Sequence, residues 1–126
     1  MANKKYLTKE SKNRSLSNNN SKYWKTPKGK LMMTYNNMNR RVRGYVKSHL
    51  YKGLELLDRD LFYSWSNSNK DWENLYNNWV LSGYERRLSP SIDRVDSSLG
   101  YTIDNMRWIT LSENSRLGAI NRHKNN

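Results

Sequence analysis

The sequence predicts an α+β fold, with a helical N-terminal part followed by a C-terminal ββα unit. Between residues 26 and 83, apolar residues recur at spacings of three and four, as they do on the buried face of a helix. Between residues 91 and 110 they occur instead in two short segments with β-branched residues, separated by a loop with a glycine. A helix start follows directly. Strand, loop, strand and helix therefore fall within about residues 89–120.

The composition favours one domain and a polyanionic partner. The chain has 126 residues, with 23 Lys and Arg against 11 Asp and Glu, a net charge of +12. Nucleic acid is the first candidate partner and an anionic membrane surface the second. No apolar run approaches the roughly 18 residues of a membrane span, and no signal peptide is recognisable. We therefore expect no membrane partner and a cytoplasmic location.

The cysteine and histidine content narrows the possible metal sites. The chain has no cysteine and two histidines. Disulfides, structural zinc bound by cysteine and a histidine-rich metal site are therefore excluded.

The chain is expected to have three parts: a flexible basic arm (1–25), a single domain (26–120) and a basic tail (121–126). In the arm, Glu10 is the only acid among many lysines, and the run Ser17–Ser21 has nothing to bury. The arm either contacts phosphates or only solubilises the protein.

Thr26 and Pro27 mark the start of the first predicted helix, because proline is favoured at the first helical position. Its apolar face is predicted to contain Leu31, Tyr35, Met38, Val42 and Tyr45. The cations lie mostly off that face and form either a solvated surface or one that follows phosphates: Lys28, Lys30, Arg40, Arg41, Arg43 and Lys47.

The middle of the chain is predicted to be a turn with a short extended segment, followed by two helices. The turn and extended segment occupy 48–57. Asp60 is expected to cap a helix, and a second helix should run from about Asn69 to just before Gly83. The spacing of the aromatic residues predicts that they belong to the core and do not stack on bases: Phe62, Trp65, Trp72, Tyr76 and Trp79.

The ββα unit is predicted from local signals. Ser91–Asp96 alternates like a strand, 97–104 is a loop, and Met106–Ile109 is a second strand with Trp108 in the core. Thr110 and Glu113 match a capping box for a helix from Leu111 to about Ile120.

The stretch LSPSIDRVDSSLGYTIDNMRWITLSENSR resembles the HNH (ββα-metal, His-Me finger) endonucleases encoded by phages and introns. In their motif, Asp93 matches the strand aspartate, Asn105 the loop asparagine and Asn114 the helix residue. Arg94 stands where the family has histidine, as in a subgroup with Asp-Arg in place of Asp-His. The resemblance covers about residues 30–116 and is strongest in the last 30 or so. The zinc-binding cysteines of many relatives are absent.

The resemblance implies phosphodiester hydrolysis assisted by one Mg²⁺ or Mn²⁺ per site, held by Asp93 and Asn114, with Asn105 shaping the loop. Arg94 cannot be a general base, because its guanidinium stays protonated; it would contact phosphate instead. His49 is the only candidate base within the domain, and a metal-bound hydroxide is the alternative. Further cations expected to grip the backbone are Arg107, Arg116 and Arg122.

Each of these residues also has a purely structural interpretation. Asp93 and Arg94 would belong to a surface ion-pair network with Arg86, Arg87 and Asp96. Asn105 would only brace the loop, Asn114 would face solvent, and His49 would be a polar turn residue.

The leading hypothesis is a metal-dependent, HNH-type DNA endonuclease or nickase, similar to phage and homing endonucleases. The alternative is a non-catalytic DNA- or RNA-binding protein that retains a degenerate HNH scaffold. An inhibitor or adaptor of a host protein has no specific signal in the sequence. Double-stranded DNA is the expected partner and RNA remains possible, whereas the recognition sequence and the oligomeric state stay open.

Overall fold

The computed structural model describes residues 22–124, and the side chains of residues 22–120. Residues 1–21 of the predicted arm and the side chains of the predicted tail lie outside the described residues. The described residues divide into two units between Met33 and Thr34.

The fold is α+β and ends in a ββα arrangement, as the sequence predicts. The elements are α1 (Pro27–Val42), α2 (Ser48–Tyr51), α3 (Arg59–Asn67), α4 (Lys70–Leu81), β1 (Pro90–Arg94), β2 (Met106–Thr110) and α5 (Leu111–Lys124). Single 3₁₀ turns precede each strand, at Arg86–Leu88 and Ile103–Asn105. In the described part of the chain, no helix is long and apolar enough to cross a membrane.

Helix α1 has the predicted apolar positions in its middle but not at its end. Leu31, Tyr35 and Met38 are buried and Val42 is half-buried. The assignment of Tyr45 to this face was wrong, because α1 ends at Val42 and Gly44 adopts a positive φ of 86°. The chain turns away there, and Tyr45 is exposed.

Polar side chains cap the N-terminal ends of α3 and α4. Asp58 caps α3, accepting a hydrogen bond of 3.1 Å from the backbone N–H of Asp60. The assignment of Asp60 as the cap was wrong, because Asp60 already lies in the first helical turn. Asn69 caps α4 through the backbone N–H of Trp72, so this helix begins where it was predicted to begin. Gly83 follows the helix with φ 76°.

Strands β1 and β2 form an antiparallel pair in which Ile92 lies opposite Trp108 and Asp93 opposite Arg107. β1 ends at Arg94, two residues earlier than predicted. Its continuation is bound to Asn105, whose carbonyl oxygen accepts from Val95 N at 2.8 Å.

Helices α3 and α4 contribute the aromatic core on one face of the sheet. Trp108 is buried, with its ring centroid 4.6 Å from that of Trp72 and 5.9 Å from that of Phe62. Its Nε1 donates to Ser66 Oγ at 3.1 Å, so the indole N–H is satisfied inside the core. The core placement predicted for Trp72, Trp79 and Trp108 is confirmed.

Helix α5 begins at the predicted cap, where Thr110 Oγ1 accepts from Glu113 N at 3.1 Å. The second half of the predicted capping box is replaced by an ion pair, since the Glu113 carboxylate binds Arg116. That contact lowers the pKa of Glu113, mainly through the hydrogen bond from Arg116.

Residues 48–57 contain the single turn of α2 before the extended segment, which forms a parallel bridge to Tyr101 through Leu56.

Candidate functional site

Asp93 and Asn114 lie on the same face of the hairpin. Side chains alternate along a strand, so Ser91 and Asp93 of β1 share a face. Asn114 Nδ2, from α5, donates to Ser91 Oγ at 2.8 Å and to the Ile92 carbonyl at 3.0 Å. Helix α5 therefore holds its asparagine against the face that carries Asp93, leaving the amide oxygen Oδ1 as the atom able to act as a ligand. The outward-facing alternative for Asn114 is not what the structure has.

The ion-pair partner of Asp93 is the residue directly opposite on β2. Arg107 Nε lies 2.8 Å from Asp93 Oδ2, and the side chain of Asp93 is 16% exposed. The surface network considered from the sequence differs, because Arg87 pairs with Glu85 and the Asp96 carboxylate accepts two hydrogen bonds from Ser98. Those two bonds are the main reason that the pKa of Asp96 is lowered.

Asn105 closes the loop between the strands. Its Oδ1 accepts from Asp96 N at 2.8 Å, and its Nδ2 donates to the carbonyls of Asp96 and Gly100 at 3.0 and 2.8 Å. The residue is buried, so these bonds are made out of contact with water. This geometry fits both the loop-shaping role that the resemblance implies and the alternative in which Asn105 only braces the loop.

Arg94 is bound to the same loop from the other side. Its Nη1 donates to the carbonyls of Ser97 and Leu99 at 2.8 and 2.9 Å. Its guanidinium carbon lies 4.3 Å from the ring centroid of Tyr51, a cation–π distance that links the loop to α2. Adjacent strand residues point to opposite faces, so Arg94 and Asp93 diverge. A phosphate contact by Arg94 stays a prediction.

Two tyrosines join Arg94 to α1. The rings of Tyr51 and Tyr101 are stacked with an interplanar angle of 1° and a centroid separation of 6.3 Å. Arg41 Nη1 donates to Tyr101 Oη at 3.4 Å, and its guanidinium lies 5.6 Å from the Tyr51 ring. Burial is the main cause of the raised pKa of Tyr101. Tyr51 and Tyr101 lie in stretches that resemble the family, but the sequence indicated no role for either residue.

His49 lies on α2, two positions before Tyr51, and is exposed. No hydrogen bond or ion pair links it to Asp93 in the described part of the chain. Its role as a base therefore stays a prediction.

The cations predicted to bind phosphate differ in exposure and in whether an acid pairs with them. Lys28, Arg40, Arg43 and Lys47 are exposed. Arg41 is half-buried against the tyrosines, while Arg107 and Arg116 are exposed and paired with acids. The side chain of Arg122 lies outside the described residues.

The assignment of Lys30 as a phosphate contact was wrong. Lys30 is 6% exposed, and burial lowers its pKa to about 8. The preceding turn also approaches α1 closely here: Gly29 is so close to the Tyr23 carbonyl oxygen that a Cβ there would collide with it. With 6% exposure, the Lys30 side chain does not belong to the surface offered to a nucleic-acid backbone.

The donor set on the Asp93 face suits a hard cation that keeps much of its water. It offers carboxylate oxygen from Asp93 and amide oxygen from Asn114, which are ligands typical of Mg²⁺. Within the described residues, no group of three or more His, Cys, Asp or Glu side chains could hold a metal ion. An ion held by Asp93 and Asn114 would have to take its remaining ligands from water and phosphate.

Comparisons of this chain with protein-family models, with curated proteins and with solved structures find no match.

Proposed function

We propose that the protein is a metal-dependent DNA endonuclease or nickase of the HNH type. The observation that supports this best is the position of Asn114, which α5 holds on the Asp93 face through two hydrogen bonds to β1. The Asn105 brace of the adjoining loop is a second feature expected of such a site.

In this proposal, Asp93 and Asn114 hold one Mg²⁺ or Mn²⁺. When bound, the ion would supply Lewis-acid assistance at the scissile phosphate. Arg107 lies beside Asp93 and orients its carboxylate through Oδ2, leaving Oδ1 for the ion. Arg94 keeps the loop closed and docks α2, which carries His49 as the candidate base.

Plasmid nicking tests the proposal. Supercoiled DNA is incubated at low salt with Mg²⁺ or Mn²⁺ and either the native protein, Asp93→Asn or the control Asp104→Asn. Asp104 is an exposed aspartate on the same hairpin. Both variants replace an aspartate by an asparagine, so they change the net charge equally. We expect nicking that requires metal, is retained by Asp104→Asn and is abolished by Asp93→Asn.

A His49→Ala variant tests the base within the same assay, and loss of a general base slows hydrolysis by about 10²–10⁴-fold. Absence of metal-dependent nicking by the native protein, or equal rates for the Asp93 and Asp104 variants, would refute the nuclease proposal.

The second candidate is a non-catalytic nucleic-acid-binding protein. The Asp93–Arg107 ion pair favours it, because Arg107 already neutralises the Asp93 carboxylate. The position of Arg94 also favours this second candidate, because its guanidinium is already bound to loop carbonyls. For this candidate we expect tight binding without cleavage, unchanged by EDTA or by Asp93→Asn.

A further inference from the structure

Tyr45 is a large aromatic side chain displayed to solvent. It is 70% exposed, and its side chain has no hydrogen-bond or ring partner among residues 22–120. Most tyrosines of the described region are at least partly buried, so this exposure calls for a physical reason. A ring with one free face and a polar tip is suited to stacking on another flat, polar ring.

The backbone around Tyr45 is fixed by hydrogen bonds on both sides. Tyr45 N donates to the Arg40 carbonyl, and Gly53 N donates to the Val42 carbonyl, each at 3.0 Å. Lys47 adopts a left-handed conformation with φ 47°, which side chains other than glycine rarely adopt. Such backbone strain is found preferentially where a binding function needs a particular loop shape.

The chain segment that carries Tyr45 has cations and no acids. Residues 22–54 contain nine Lys and Arg and no Asp or Glu. Those nearest to Tyr45 in the sequence are exposed, apart from the half-buried Arg41: Arg40, Arg43, Lys47 and Lys52. No ion pair with an acid involves these four side chains in the described part of the chain, so their charges are available to phosphate.

We infer that Tyr45 is a base-stacking residue for single-stranded DNA, with Arg43 and Lys47 contacting the adjoining phosphates. An aromatic ring in a basic loop is the arrangement that binds unpaired bases, because every base has an accessible flat face once it leaves the duplex. In an intact duplex the base faces are covered by their neighbours. The segment should therefore favour single-stranded or locally opened DNA. This inference rests on the proposed binding of nucleic acid, but not on cleavage.

Fluorescence anisotropy in EDTA tests the inference with a fluorescein-labelled oligothymidylate, the matching duplex and an abasic strand of equal length. The proteins are the native chain, Tyr45→Ala, Tyr45→Phe and the control Leu81→Ala. Leu81 is 83% exposed on α4, so the control removes an exposed apolar side chain from a different surface. Far-UV circular dichroism checks that all four proteins are folded.

We expect Tyr45→Ala to weaken binding of oligothymidylate about tenfold or more. Tyr45→Phe keeps the ring and should bind within about twofold of the native protein, as should Leu81→Ala. The abasic strand should be bound equally by all four proteins. The dependence of binding on salt should not change in Tyr45→Ala, because no charge is removed.

Four outcomes would overturn the inference: no binding by the native protein, native affinity in Tyr45→Ala, Tyr45→Phe as weak as Tyr45→Ala, or an equal loss on the abasic strand. Since EDTA removes metal, these results do not depend on catalysis. A native protein that binds as expected and never nicks plasmid would refute the nuclease proposal alone.

Discussion

Asn105 uses both ends of its amide to hold the loop between the strands. One oxygen accepts from Asp96 N, and one nitrogen donates to the carbonyls of Asp96 and Gly100. An asparagine amide offers one acceptor and two donors, so its side chain is fully used here. Because the residue is buried, losing the amide would leave loop groups without partners.

We predict that Asn105→Ala lowers the free energy of unfolding by about 2–4 kcal/mol, since several buried polar groups lose their partner at once. Urea denaturation of the native and variant proteins measures this change. The control Asn77→Ala removes an exposed asparagine from α4 and should alter stability by less than about 0.5 kcal/mol. Similar urea midpoints for Asn105→Ala and Asn77→Ala would show that the loop does not depend on the Asn105 amide.

At the scale of elements, the ββα unit could be predicted because its signals are local. Alternation placed Ser91 and Asp93 on one face, and Thr110 marked the start of α5 beside it. The end of α1 also has a local signal, which the apolar periodicity outweighed. The periodicity continues to Tyr45, but Gly44 adopts a positive φ of 86° just after the helix ends at Val42, as glycines commonly do there.

Only part of the candidate site follows from local patterns. Alternation along β1 predicts the face that carries Asp93, and α5 holds Asn114 against β1. The surroundings of Arg94 could not be predicted, since Tyr51 is far away in the sequence and reaches Arg94 only in the folded chain. Lys30 was misplaced for the same reason: helical position alone did not indicate that it is buried.

The extended segment before α3 joins the β1–β2 loop through a close backbone contact. Leu57 N donates to the Tyr101 carbonyl at 2.9 Å, and Tyr101 N donates to the Glu55 carbonyl at 2.7 Å. Gly100 lies directly against Glu55, and a Cβ there would collide with its backbone nitrogen and carbonyl oxygen. The glycine is therefore required for the approach of two backbones.

We predict that Gly100→Ala lowers the free energy of unfolding by at least about 2 kcal/mol, because backbone atoms must move apart. Gly118→Ala is the matched control. No atom outside its own helix lies within 4 Å of a Cβ built on Gly118 in α5. The control should raise stability by about 0.5–1 kcal/mol through helix propensity. Thermal and urea unfolding measure both changes, and destabilisation of the two proteins alike would contradict the packing assigned to Gly100.

Across the whole molecule, charge is distributed unevenly along the sequence. All acids other than Glu10 lie at residue 55 or beyond, whereas residues 11–54 contain none. Several cations of the later part are paired with acids, among them Lys70 with Glu73 and Arg87 with Glu85. The net charge of +12 therefore understates how strongly the acid-free segment should attract phosphate.

The last prediction separates this local attraction from net charge. Arg43→Gln with Lys47→Gln removes two unpaired cations, and Lys70→Gln with Arg87→Gln removes two that are paired. Both double variants change the net charge equally. If Arg43 and Lys47 contact phosphates, the first double variant should reduce the magnitude of the slope of log K against log salt by about 1.4 on single-stranded DNA. The second should leave the slope nearly unchanged. Binding titrations at several salt concentrations measure both slopes. Equal reductions in the two double variants would mean that binding follows the overall charge and not the segment that carries Arg43 and Lys47.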